Sequence, residues 1–217
     1  MAETTLIIGN KNYSSWSLRP WLVLKQLGIN FDEERIRLFE AGFKDNILKH
    51  SAAGKVPVLK TAGLTIWESL AICEYLGEQH PELWPEDTAD RALARSAVSE
   101  MHAGFMALRN ELPMNCRAQQ RKLDYSADAA ADIQRIESLW QQCKQQSKQQ
   151  GPWLFGKFGI VDAFYAPVAI RLTGYQIPLS PESEAYRLTQ LSNPYLQQWI
   201  EAGQAEVEII AEEEVGE

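Results

Sequence analysis

The residues best equipped for chemistry lie in three short stretches of the N-terminal third. The first, Asn12-Tyr13-Ser14-Ser15-Trp16-Ser17-Leu18-Arg19-Pro20-Trp21, joins a short apolar run to a helical stretch. Serine hydroxyls there stand at a helix N-terminus, where unpaired amides and the helix dipole favour negative charge by about 0.3–1 kcal/mol. A thiol brought to that point would ionise below its free value of about 8.5. A serine hydroxyl could then donate a hydrogen bond to the thiolate. The same serines could instead do no more than cap the helix. The second stretch is Gly54-Lys55-Val56-Pro57-Val58-Leu59. Pro57 forces Val56 to be extended, which leaves its backbone free to pair with an extended peptide ligand; an ordinary X-Pro step before a strand is the plainer alternative. The third is Trp67-Glu68-Ser69-Leu70-Ala71-Ile72, a strand-to-helix junction with Ser69 as the expected N-cap. Its hydroxyl and the amides beyond it form a carboxylate site, while Glu68 can accept from an ammonium group. Together they fit the two ends of an amino-acid head group, or else serve only as a cap.

These stretches need a scaffold, and the hydrophobic pattern supplies one. Residues 5–8 read as a buried strand, 21–27 as a helix with Pro20 in its first turn and Gly28 at its C-cap, and 31–38 as a second strand. Residues 56–60 and 64–66 read as two strands joined at Ala62-Gly63, and residues 69–79 as a closing helix. This β-α-β then β-β-α order describes a compact mixed sheet. Pro81 and Pro85 mark a linker, so the expected division is a sheet domain at 1–80, a linker at 81–87 and an all-helical domain at 88–217. Val98, Met101, Phe105, Leu108 and Leu112 form one helical stripe; Ala129, Ile133, Ile136, Trp140 and Cys143 form another. A third helix is expected over 162–173, and a fourth from Pro194 with Leu196, Trp199 and Ile200 turned inward. The acidic tail over 206–217 reads as frayed.

Composition narrows the function. The chain has 217 residues, of which 45% are hydrophobic and 23% charged, with net charge −8. It is therefore globular, and its acidic balance disfavours nucleic-acid binding, which rests on basic surface. No run approaches the roughly 20 apolar residues that span a bilayer, since residues 163–170 are interrupted by Pro167. The N-terminus lacks a basic leader with an apolar core, so the cytoplasm is the expected compartment. Cys73, Cys116 and Cys143 form no Cys-x-x-Cys pair, so no zinc site or dithiol centre is expected, and all three read as small apolar side chains.

The three stretches, in this order and spacing, resemble the glutathione S-transferase family. Ser14-Ser15-Trp16-Ser17-Leu18-Arg19 resembles the Ser-Ser-Cys-Ser-x-Arg segment of zeta-class members, and residues 55–59 and 68–72 look like the family's glutathione-site motifs. Residues 156–167 are similar to the segment leading into the central helix of the family's second domain, so the resemblance spans nearly the whole chain. It implies a thioredoxin-like N-terminal domain with a mixed four-stranded sheet, followed by an all-helical domain, and glutathione as co-substrate without a metal. It further implies that Ser14 activates the thiol, with Ser15 as the fallback, and that Val56, beside a cis Pro57, pairs with the cysteinyl backbone. Glu68 and Ser69 would hold the γ-glutamyl end and Lys55 or Lys44 the glycyl carboxylate. The implied reaction is conjugation to a small hydrophobic electrophile in a cytoplasmic homodimer. Isomerase or peroxidase chemistry and a non-catalytic scaffold are the alternatives. Met106, Arg109, Met114 and Arg117 are candidates to line the electrophile cavity. Two departures stand out. Trp16 occupies the zeta-class cysteine position, which removes sulfur-based exchange, and Gly159-Ile160-Val161-Asp162 has glycine where the family's capping box has serine or threonine. Asp162 is accordingly a folding residue.

Overall fold

The computed structural model describes residues 3–216. Four strands form one sheet in the order β2-β1-β3-β4. Strand β1 (Thr5–Ile8) runs parallel to β2 (Asp32–Arg35), from Thr5 opposite Asp32 to Ile8 opposite Arg35. It runs antiparallel to β3 (Val58–Thr61), which turns through Ala62 and Gly63 into β4 (Leu64–Trp67). Both turn residues have positive φ, 49° and 76°, the conformation a tight hairpin demands. Because β1 alternates sides, Leu6 and Ile8 enter the main core while Ile7 joins Ile36, Ile47 and Val58 on the opposite face. The first face is covered by α1 (Ser15–Gln26) and α3 (Ser69–Gln79); the second carries α2 (Phe43–Leu48), a short helix not anticipated from the sequence.

Helix α1 begins well before residue 21. Ser14 caps it, and Pro20 falls inside rather than in its first turn. Losing one intrahelical bond at Pro20 is offset by complete burial of Leu18, Arg19, Trp21, Leu22, Val23 and Leu24. The expected strands also trim: β2 stops at Arg35, and β3 starts at Val58, leaving Val56 outside the ladder.

Beyond the linker come α4 (Thr88–Ala103), α5 (Met106–Glu111), α6 (Ala127–Gln146), α7 (Ile160–Gly174), α8 (Pro181–Leu191) and α9 (Pro194–Gln204). The stripe through residues 98–112 is not one helix. It breaks where Gly104 ends α4 and Phe105 takes a left-handed φ of 60°, so α5 starts in a new direction. Helix α7 is apolar on nearly every side, and it packs against α1, α4 and α8 at the centre of a continuous core running from Leu6 to Trp199. Among the described residues no helix is long and apolar enough to cross a membrane.

Over residues 206–216 the tail is not frayed; Glu217, the last residue of that reading, lies outside the described residues. The Glu206 carboxylate accepts from the Lys11 and Asn12 amides at 2.8 and 3.1 Å, and Glu208 pairs with Arg35 and Arg37 at 3.0 and 2.9 Å. Glu214 accepts from Tyr13 Oη and Asn115 Nδ2 and pairs with Arg121. The run of acids that suggests solvation thus meets Arg35, Arg37, Arg117 and Arg121 and the amides ahead of α1.

Candidate active site

Two neighbouring cavities, of about 450 and 360 Å³, open along the C-terminal side of β1 and the head of α1. Both fall in the size range of small-molecule sites, about 300–1,000 Å³. Trp16, Leu38, Val56 and His102 line both, so the two spaces meet there.

The first cavity is a groove over the sheet edge. Lys55, Val56 and Pro57 form one wall, with a cis peptide between Val56 and Pro57, and Glu68 and Ser69 form another. Val56 lies just short of β3, and among the described residues its amide and carbonyl make no loop hydrogen bond. Glu68, not Ser69, is the N-cap of α3. Its φ of 69° is costly for a residue with a Cβ, a cost of about 1–3 kcal/mol of the kind that persists at functional sites. Ser69 follows as the first helical residue; its hydroxyl is buried at the groove with no hydrogen-bond partner among the described residues. Lys44 stands apart: it is exposed on α2 and lines neither cavity, although its neighbours Phe43 and Ile47 line the groove.

The second cavity holds Ser14 and Ser15. Ser14 Oγ accepts weakly from the Ser17 amide at 3.4 Å and donates to Ser17 Oγ at 2.8 Å. Ser15 Oγ accepts from Arg171 Nη2 at 3.5 Å, across the junction between the sheet unit and α7. Tyr13, the third hydroxyl at this turn, is committed elsewhere. Its oxygen receives Arg117 Nη2 and the Ile210 amide while its proton goes to Glu214 at 2.6 Å. Burial first, and then the Glu214 bond, hold its pKa above the usual tyrosine range. Its hydroxyl ties the tail to the turn ahead of α1. Replacing Tyr13 by phenylalanine should therefore speed hydrogen exchange over 206–214 by about 10- to 100-fold, the effect of losing one or two buried hydrogen bonds. The pH profile of catalysis should stay where it is; a shifted profile would return Tyr13 to the chemistry.

Of the four residues suggested for the second cavity, Met106 and Arg109 line it. Met114 is fully buried in the core, and Arg117 is spent on Tyr13 and the carbonyls of Glu206 and Glu208. Three lining or backing residues were missed in the sequence. Arg171 reaches the cavity from α7, where a basic residue in the last turn of a helix whose one other charge is Asp162 is the available signal. His102 sits at the end of α4, with Nε2 4.0 Å from Glu68 Oε2, and burial with the nearby Arg19 charge lowers its pKa. Arg19 lies behind the wall, fully buried between the rings of Trp16 and Phe164 at 4.4 and 4.5 Å, with no hydrogen-bond partner for its three nitrogens among the described residues. Burial, then Arg109, push its pKa well down; Arg171 falls to about 10 for the same reasons. Trp16 also faces Arg109 at 4.8 Å. The Trp16 ring thus holds two guanidinium groups in place, and Arg109 and Arg171 on the cavity wall, with Arg19 behind it, give that space positive potential. The three cysteines are buried, and burial raises each thiol pKa, which leaves them inert.

A mixed four-stranded sheet with a helix N-terminus and serine hydroxyls facing a cleft, backed by a helical bundle, defines a thioredoxin-like architecture with an all-helical extension. Models of the glutathione S-transferase N-terminal and C-terminal domains match residues 13–79 and 90–202, and the chain belongs to the glutathione S-transferase family. A rat protein named maleylacetoacetate isomerase is 28% identical over 174 residues, 77% of each chain. Glutathione S-transferase 1 of Dianthus caryophyllus is 30% identical over 188 residues, 84% of this chain and 82% of that one. A glutathione transferase homolog from Burkholderia, solved with bound glutathione, superimposes with a TM-score of 0.69 at 25% identity, covering 93% of this chain and 98% of that one.

Proposed function

We propose that the groove binds glutathione and that the second cavity receives a small electrophile, with the thiol lying where the two spaces meet and Ser14 donating to it. The observation that carries this reading is the α3 junction, where the buried Ser69 hydroxyl lacks a partner and Glu68 is held in a strained conformation beside it. A γ-glutamyl group offers one carboxylate and one ammonium, the complement of that pair. The unpaired Val56 backbone supports strand-like pairing with the middle of the tripeptide, and Lys55 suits the glycyl carboxylate. In this reading residues 1–80 are the glutathione domain, 81–87 the linker and 88–217 the helical domain.

Catalysis then needs little covalent help from the protein. The helix N-terminus, the Ser14 hydroxyl and the arginines around the second cavity favour the thiolate over the thiol, and the groove holds it in line with the electrophile. A second reading, glutathione-dependent isomerisation of an anionic substrate, is favoured by Arg109 and Arg171 in that cavity and by the names of several relatives. Loss of free glutathione without oxidised product marks conjugation, unchanged glutathione marks isomerisation, and oxidised glutathione marks peroxidase action. A cytoplasmic homodimer is part of the proposal, carried over from the family.

Calorimetric titration tests the binding half. Saturable heat with glutathione is expected, and Glu68→Gln should weaken it about 10- to 100-fold, the loss of one charge-assisted hydrogen bond. No saturation at millimolar glutathione would overturn the assignment.

A further inference from the structure

We propose that Ser17, which touches neither cavity, is a positioning residue that sets the direction in which the Ser14 hydroxyl points. The inference rests on the glutathione reading above and assigns a role to a side chain outside the proposed contacts. Ser17 is completely buried in the first turn of α1. Its oxygen accepts the Gly9 amide from the end of β1 at 3.1 Å and the Ser14 proton at 2.8 Å. A hydroxyl has one proton and two acceptor positions. In this arrangement both acceptor positions of Ser17 are filled, and its own proton has no acceptor among the described residues. Ser14, having given its proton to Ser17, has none left for a thiolate.

Turning both hydroxyls removes the conflict. Ser17 keeps the Gly9 amide and donates its proton to Ser14 Oγ; Ser14 then directs its proton into the cavity toward the sulfur. No proton changes owner between the serines, and the thiol proton leaves to solvent. A hydroxyl that is itself receiving a hydrogen bond is a better donor, so the row Gly9 amide, Ser17, Ser14, thiolate strengthens along its length. The two oxygens are preplaced by tight packing: a side chain at Gly9 would meet Leu38 Cδ1 at 2.6 Å and Ser14 Cβ at 3.2 Å. The titratable or charged groups lining the two cavities are Tyr13, Lys55, Glu68, His102, Arg109, Arg171 and Glu213, with Arg19 behind Trp16. All of them remain when Ser17 is changed, so a shift in thiol ionisation reports the serine pair.

The test is the ionisation of glutathione bound to the full chain, followed by thiolate ultraviolet absorbance and by the pH profile of kcat/KM, in Ser17→Ala, Ser17→Thr, Ser14→Ala and the double variant. Ser17→Ala should raise the bound thiol pKa by about 0.5–1 unit, a fall of about 3- to 10-fold in kcat/KM below that pKa, with glutathione affinity by calorimetry unchanged. Ser17→Thr, which keeps the hydroxyl, should restore the profile, and the double variant should match Ser14→Ala alone because Ser17 acts through it. A wild-type thiol pKa in Ser17→Ala alongside a shifted one in Ser14→Ala would overturn the positioning role while leaving the glutathione reading intact. A double variant worse than Ser14→Ala by the full Ser17→Ala factor would overturn it as well. Absent heat with glutathione in the unmodified protein would remove the reading on which it rests.

Discussion

Replacing Ser14 by alanine is expected to lower kcat/KM about 10- to 100-fold near pH 6.5 and to leave the glutathione dissociation constant within about threefold. The size follows from the bond removed. A hydrogen bond to an ionised group contributes about 1.5–3 kcal/mol, and one pKa unit is worth about 1.4 kcal/mol, so the bound thiol should ionise about 1–2 units higher. The sign fixes where the loss is seen: below both pKa values the variant holds less thiolate by the full factor, and above about pH 9.5 both proteins hold the same amount and the deficit closes. Affinity should survive because, in the proposed binding mode, the tripeptide is held away from its sulfur by Val56, Glu68 and Ser69, which line the groove. Ser14 also caps α1, so the variant should lose about 1 kcal/mol of stability, which denaturant unfolding measures separately. Ser15→Ala is the matched control. Its oxygen is engaged by Arg171 at the junction with α7, and its removal should cost less than about fivefold. A wild-type profile in Ser14→Ala with the loss carried by Ser15→Ala would move the role one residue along.

How much of this was legible before the structure differs by the kind of signal. Local chemistry read well where one residue dictates its own surroundings. Pro194 does start α9 after an Asn193 cap, with Leu196 and Trp199 buried, and Ala62-Gly63 does turn β3 into β4. The sheet and its following helical bundle came from periodicity and are the fold of the family. Position read less well. Ser69 was expected to cap α3, but the chain turns one residue earlier, at Glu68, because its positive φ aims the acid along the groove and leaves Ser69 buried in the first turn. The stripe through 98–112 gave no sign of its break, because Phe105 supplies the periodic apolar residue and the left-handed turn at once. Helix α8 was invisible because the side chains it buries are Ser183, Tyr186 and Gln190, a polar face that periodicity counts as solvent. The tail failed for a different reason: its partners Arg35, Arg37, Arg117 and Arg121 are dispersed along the chain, and charge complementarity at that distance has no local signature.

Tyr186 and Gln190 are polar because of what they serve, and this makes Asp162 the second residue whose replacement should have a large effect. Asp162 is fully buried at the start of α7. Its Oδ2 accepts the Gly159 amide at 2.9 Å, and its Oδ1 accepts the Leu154 amide at 3.2 Å and the Tyr186 hydroxyl at 2.8 Å. Gln190 donates to its carbonyl at 2.8 Å. The glycine at the cap also finds its reason here, since a Cβ on Gly159 would stand 2.7 Å from the Leu83 carbonyl, where the linker crosses the helix head. Asp162→Ala strands two amides and a hydroxyl in the core and should cost about 3–5 kcal/mol. The direction of the pH dependence decides which force rules the site. Burial raises the Asp162 pKa to about 6, against the three hydrogen bonds that pull it down. A carboxyl that ionises higher in the folded chain than in the unfolded one binds its proton more tightly when folded, so its contribution rises as pH falls from about 6 to 4 and is constant above. By linkage the span is about 3 kcal/mol. Asp162→Asn cannot titrate, so in urea unfolding the advantage of the unmodified protein over this variant should grow by about that amount between pH 7 and pH 4, with the titration of other groups cancelling in the difference. If the advantage shrinks toward low pH instead, the hydrogen bonds outweigh burial, and the aspartate is held as a carboxylate throughout.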